Sequence, residues 1–226
     1  PVAVALEEPF TARLEGGTDA KWAPPFDYFR HVKLPLLEEH GLEADATLTR
    51  RGFYPRGGGQ AELTIEPSTL SAIDLTERGD RESLTAYSVA EESLEADDVA
   101  ERQAEPAPAD AEVETEYVEA DCSGSAFVLA AEYEHSRAGF AELGEMGVEA
   151  EEVGEKAVER FEAFEDGDAA VDAHLADQLV PFVALAGGEV RAPEVTTHVE
   201  TCISLLDEFG YSVDVEEDGD TVLISG

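Results

Sequence analysis

The ten residues Arg51-Gly52-Phe53-Tyr54-Pro55-Arg56-Gly57-Gly58-Gly59-Gln60 constrain this chain more than any other stretch. Three consecutive glycines beside a proline, followed by the alternating run from Ala61 to Glu66, describe a tight corner between two strands whose backbone can approach another group closely. The flanking arginines lead us to expect that group to be anionic. A bent hairpin with a flexible tip is the plainer reading, and the glycines alone do not separate the two.

The arginines stand out because cations are scarce. The 226 residues carry 14 Lys and Arg against 53 Asp and Glu, a formal charge of -39 spread along the whole sequence. With 43% hydrophobic residues the chain can still bury a sizeable core, which excludes a disordered acidic protein. Such a surface repels itself in dilute buffer, so adaptation to a cytoplasm of molar salt is the expected reason. An acidic surface for a basic partner or calcium is the alternative, and no Asp-x-Asp-x-Asp-Gly loop supports it. Half of the cations fall in the first quarter: Arg13, Lys21, Arg30, Lys33, Arg50, Arg51 and Arg56.

Cys122 and Cys202 match no metal-ligand spacing. Reduced buried thiols of a cytoplasmic protein are expected, a disulfide being the other reading. No apolar run approaches the ~20 residues of a membrane span. The chain opens Pro-Val-Ala-Val-Ala-Leu, without an initiator methionine or a basic leader, and reads as an excision from a longer protein.

The hydropathy pattern gives a strand at Phe10 to Leu14, then a helix begun by Pro24-Pro25 and ended by Gly41, with Pro35 expected to kink or split it. Strands at Leu42 to Thr49 and Gln60 to Glu66 enclose the glycine corner. A similar order recurs near the C-terminus: a strand at Glu189 to Arg191, a helix at Val199 to Phe209, then strands at Tyr211 to Glu216 and Thr221 to Ser225. These readings give an α+β fold of repeated strand-helix units with sheets packed on helices. Residues 1–69 and 135–226 form a larger domain, and 70–134 a small α+β insert. Within the insert we expect strands at Leu84 to Val89, Glu112 to Glu119 and Ala126 to Glu134, and an acidic helix at Leu94 to Gln103. Residues 136–144 read as a loop of small residues, and Ala150 to Phe164 as an amphipathic helix.

Two histidines carry candidate chemistry. On the helix Val171 to Ala186, His174, Asp177 and Gln178 share one face at spacings of three and four, open to a ligand or merely to water. Thr197 and Glu200 read as a capping box, placing His198 in the first helical position among orphan amide groups. There the positive end of the helix favours the neutral, nucleophilic ring and would receive a phosphate. A capped-helix histidine without a role is the bland alternative.

Taken together, Gly17-Thr18-Asp19 with Trp22-Ala23-Pro24-Pro25, Arg51 to Gly59, Ser136-Arg137-Ala138-Gly139, His174 to Gln178 with Pro181 and Ala184 to Gly187, and His198-x-x-Thr201-x-Ile203 resemble the RNA 3'-terminal phosphate cyclase family. The resemblance implies ATP-dependent conversion of an RNA 3'-phosphate to a 2',3'-cyclic phosphate, a ligase or nucleotidyl-transfer reaction through a histidine-AMP intermediate. It assigns the nucleophile to His198, the walls of the adenine pocket to Pro24 and His174, and polar nucleotide contacts to Asp177 and Gln178. His174 stands where the family has an aromatic residue. ATP and a divalent metal, Mg or Mn, are the implied cofactors, and an RNA 3' end the partner. With so negative a surface, RNA is expected to be held by a few direct contacts, including Arg51, Arg56 or Arg137.

The family's opening glycine-rich segment, with a metal-binding glutamate and further phosphate contacts, is not in this sequence, so no metal ligand is assigned. The polypeptide alone is expected to be inactive or very weak. Two other readings compete: a noncatalytic cyclase-like protein of ribosomal RNA processing, which would be expected to lack His198, and a relative of the enolpyruvyl transferases, which would form no covalent AMP.

Overall fold

The computed structural model describes residues 1–226. Its first unit pairs β1 (Phe10–Gly16), β2 (Ala44–Arg50) and β3 (Gly59–Ile65) in an antiparallel sheet of order β1-β3-β2, with Phe10 opposite Ile65 and Gly16 opposite Gly59. Between β1 and β2 runs a helical rod, α1 (Phe26–Tyr28), a π-helical turn (Phe29–Lys33) and α2 (Leu34–Glu39). The sequence predicted a kink or a break at Pro35. The chain instead widens just before it, with Leu34 N–H reaching the Phe29 carbonyl five residues back. The π turn accommodates a residue that has no N–H and whose ring crowds the preceding turn, so the rod continues.

The glycine corner approaches the chain itself. A side chain on Gly52 would meet the Gly59 amide nitrogen at 2.3 Å and the Gly16 carbonyl at 2.5 Å. Gly58, at φ 74°, has no room for one because Asp121 Oδ2 would lie 2.0 Å away. The expected anion is therefore Asp121, to which Arg50 donates at 2.6 Å.

The middle of the chain forms a second sheet, from β5 (Arg81–Glu91), β6 (Glu112–Val118), β7 (Ser125–Tyr133) and β8 (Arg137–Leu143), in the order β6-β5-β7-β8. The loop expected at 136–144 is thus strand β8, whose small residues were misread as turn residues. They fit a crowded strand: at Gly139 a Cβ would strike the Tyr28 ring at 2.6 Å. The acidic helix expected at 94–103 divides into a 3-10 turn (Glu92–Asp97) and α3 (Val99–Ala104), separated by Asp98 at φ 51°. With α4 (Ala150–Glu165) this sheet encloses its own core, including Leu84, Phe127, Leu129, Phe140, Phe161 and Phe164. The strands therefore cross the borders drawn from sequence. β8 joins the central sheet, while β4 (Ile73–Leu75) leaves it to pair in parallel with a strand near the C-terminus.

That third sheet follows α5 (Ala173–Ala186) and contains β9 (Gly188–Ala192), then, after α6 (Thr197–Glu208), β10 (Asp214–Asp218) and β11 (Thr221–Ser225), in the order β10-β11-β9-β4. β9-α6-β10-β11 repeats the topology of the first unit: strand, helix, then a strand pair whose last member returns beside the first, all antiparallel. The main core joins the rod, α5 and the third sheet through Tyr28, Leu36, Leu37, Leu175, Leu179 and Ile224, and reaches β7 at Val128. Alternate side chains of β7 thus serve both cores, which is why the strand is buried on both faces and reads as a continuous apolar run. No helix is long and apolar enough to cross a membrane.

Candidate active site

α5 begins where Asp172 caps it. The carboxylate accepts the amides of His174 at 2.9 Å and Leu175 at 3.1 Å, the Gly139 amide at 2.9 Å and the Tyr28 hydroxyl at 2.9 Å. Burial raises the pKa of this carboxyl, against the pull of those hydrogen bonds, and raises that of Tyr28 further. This buried junction ties the rod, β8 and α5 together and fixes the helix that carries His174, Asp177 and Gln178.

The N-cap of α6 lies one residue earlier than predicted. Thr196, not Thr197, is the N-cap, its Oγ1 accepting the Val199 amide at 3.2 Å. The residue in the capping-box position is then Val199 instead of Glu200, and the box does not form. The Thr196 hydroxyl donates in turn to Asp177, so α5 orients the start of α6. His198 becomes the second helical residue. It is exposed, and the amides of Thr197 and His198 have no partner within the chain, leaving the anion-receptive end of a twelve-residue helix open.

Five residues proposed from sequence converge here. Pro24, His174, Asp177, Gln178 and His198 line one open cavity of about 800 Å³, bounded by the Ala20 to Pro25 loop, the end of β8, α4 and the starts of α5 and α6. The Gln178 side-chain amide donates to the His174 carbonyl at 3.0 Å, which leaves its oxygen for a ligand. Cys202, one turn beyond His198, also borders the cavity, and burial together with the Asp177 charge raises its thiol pKa.

Lys21, Trp22 and Arg160 line the cavity without having been singled out from sequence. Lys21 pairs with Glu145 at 2.8 Å and Arg160 with Glu142 at 2.6 Å. The hydrogen-bonded pair raises the Lys21 pKa and lowers that of Glu145. Lys21 and Trp22 lay within the recognised motif stretch, and the scarcity of cations was a usable signal for Lys21. Arg160 was hidden on an ordinary amphipathic helix.

The three arginines expected to contact RNA lie outside this cavity. Arg51 is buried, donating to Asp19 at 3.1 and 3.2 Å and to Asp27 at 2.5 Å. Its guanidinium is occupied by a fold-internal ion pair, which corrects the expectation of an RNA contact. Arg137 is likewise taken up by Glu39 at 2.9 Å and Glu132 at 2.5 Å. Arg56 is exposed and spends one nitrogen on the Asp121 carbonyl at 3.0 Å. Both cysteines are free.

His198, beside the open amides at the start of α6, thus borders the same cavity as Pro24, His174, Asp177 and Gln178. The family model described as RNA 3'-terminal phosphate cyclase matches residues 1–215, and the chain belongs to that family. Over 99% of its length it is 68% identical to the RNA 3'-terminal phosphate cyclase of Halobacterium salinarum strain R1, and over 95% of its length 38% identical to that of Archaeoglobus fulgidus. The Thermococcus kodakarensis protein of the same name is 40% identical over 87% of the chain. The chain spans 66%, 65% and 59% of the lengths of these three relatives.

Proposed function

We propose that this chain carries the nucleotide pocket and the nucleophile of an ATP-dependent RNA 3'-terminal phosphate cyclase. The observation that supports this reading is that Pro24, His174, Asp177, Gln178 and His198, brought from three separate parts of the sequence, line one cavity. A ring nitrogen of His198 attacks the α-phosphorus of ATP, forming an N–P bond and expelling pyrophosphate. An oxygen of the RNA 3'-phosphate then attacks that phosphorus and releases the imidazole. Finally the neighbouring 2'-hydroxyl attacks the 3'-phosphorus, loses its proton and expels AMP, closing the cyclic phosphate. Adenylation supplies the leaving group, and the last attack is intramolecular, so it needs little beyond positioning.

Pro24 and His174 are assigned to the two faces of the adenine, with Asp177 and Gln178 as polar contacts. Open amides at the start of α6 would take phosphate oxygens. Of the three arginines first considered for RNA, Arg56 retains that role because it is exposed. A divalent cation would neutralise the triphosphate. However, no group of three or more His, Cys, Asp or Glu is placed to hold a metal ion; the residues do not fit a preformed site, and no step is assigned to one. We further read the charge of -39 as adaptation to molar salt, and the free thiols as those of a cytoplasmic protein.

The reading is tested by incubating the full-length protein that contains this chain with ATP, a divalent cation and an oligoribonucleotide bearing a 3'-phosphate. The expected product is an ATP-dependent, phosphatase-resistant end. A terminal phosphate that stays phosphatase-sensitive under all conditions contradicts the reading.

A further inference from the structure

Lys21 and Trp22, in the cavity lining, lie beside the corner that carries Tyr54 and Arg56. Asp19 and Phe53 form a parallel β-bridge, and Tyr54 N–H donates to the Asp19 carbonyl at 3.3 Å. From that bridge the loop through Lys21 and Trp22 and the corner through Tyr54 and Arg56 set out side by side. Trp22 is 91% exposed and Tyr54 55% exposed. The Tyr54 phenol is near enough to Lys21 to help raise its pKa, behind the larger effect of Glu145.

Trp22 is held at φ 67°, a backbone conformation that is sterically costly for a bulky residue. An indole kept fully in solvent by strained backbone gains nothing from packing. Both Trp22 and Lys21 border the nucleotide cavity.

We infer that Lys21, Trp22, Tyr54 and Arg56 form a platform for the single-stranded 3' end of RNA, its bases stacking on Trp22 and Tyr54 and its phosphates meeting Lys21 and Arg56. This rests on the reading of the cavity as the ATP site, since the adenine then takes Pro24 and His174 and leaves the outer aromatics for RNA. A protein of charge -39 cannot gather RNA by a broad basic field. Aromatic stacking is short-ranged, tolerant of sequence and independent of that field, and paired with a few cations it is a general means of holding single strands. Lys21 exchanges Glu145 for a phosphate on binding.

Trp22 is the only tryptophan, so its emission reports on the platform alone. The protein is titrated with a 3'-phosphorylated oligouridylate and, separately, with adenosine. Trp22→Ala, Tyr54→Ala and, as a charge control outside the cavity lining, the exposed Arg13→Met are assayed by anisotropy of labelled RNA. RNA should quench the tryptophan, and each aromatic truncation should weaken RNA binding about tenfold. Adenosine binding and labelling of His198 by ATP should be unchanged in Tyr54→Ala, since Tyr54 lies outside the cavity lining, and Arg13→Met should match wild type. No quenching, quenching by adenosine, or wild-type RNA affinity in both aromatic variants overturns the platform. If His198 is still labelled in that case, the ATP reading stands alone; if His198 takes no label and neither RNA nor adenosine binds, both readings fall.

Discussion

Asp177 on α5 accepts the hydroxyl proton of Thr196, whose same oxygen caps α6 by accepting the Val199 amide. A residue read from sequence as a nucleotide contact thus also determines how the helix bearing His198 begins. Thr196→Ala should cost about 1 kcal/mol of stability, the ordinary worth of an N-cap, and should slow labelling of His198 by ATP without unfolding the protein. Thermal melts and the labelling rate check this. An unchanged rate would show that the cap and the reactivity of His198 are independent.

Arg51 is the one cation between two buried carboxylates, Asp19 and Asp27. Burial raises the Asp19 pKa, and the Asp27 charge adds to that, while Arg51 and Thr18 oppose it. Arg51→Met would leave two carboxylates with no countercharge and should destabilise the protein by about 3–5 kcal/mol. Arg56→Ala, at an exposed position, should change stability by less than about 0.5 kcal/mol. Chemical denaturation of both variants checks the contrast.

The pair shows why the sequence was legible in some places and not in others. Motif spacing found both arginines, but burial separates their roles, and burial depends on which distant residues surround them. Asp19 reaches Arg51 where the loop after β1 bridges to Phe53 in the glycine corner. Similarly, the periodicity of α4 put Val153, Ala157, Val158, Phe161 and Phe164 on one face, and four are buried while Val158 is partly buried. Strand β8 was missed because Gly139 is small for a reason outside the strand, the Tyr28 ring packed against it. The five residues that helical spacing and family resemblance singled out line one cavity. Arg160, on an ordinary amphipathic helix, joins the cavity through tertiary packing that no local pattern records.

His31 stacks on Tyr87 with ring centroids 3.9 Å apart. Burial lowers its pKa, Arg30 and Arg51 add to the shift, and Asp27 opposes it. The unfolded chain therefore holds the His31 proton more tightly than the folded one. Its contribution to stability is complete above the ordinary pKa of 6.5 and is lost as pH falls through the lower folded value. His31→Phe, which keeps a ring against Tyr87, should flatten the fall in stability between about pH 7 and pH 5. Denaturation midpoints of wild type and variant across that range check the sign; parallel curves would remove His31 as the source.

The central claim is that His198 accepts AMP. The direct measurement is incubation of the full-length protein that contains this chain with α-labelled ATP and a divalent cation in high salt, beside its His198→Ala variant, followed by denaturing electrophoresis. We predict acid-labile label on the wild type and none on the variant, the signature of a phosphoramidate at that residue. Absence of label on folded wild-type protein, or equal labelling of His198→Ala, would contradict nucleotidyl transfer through His198.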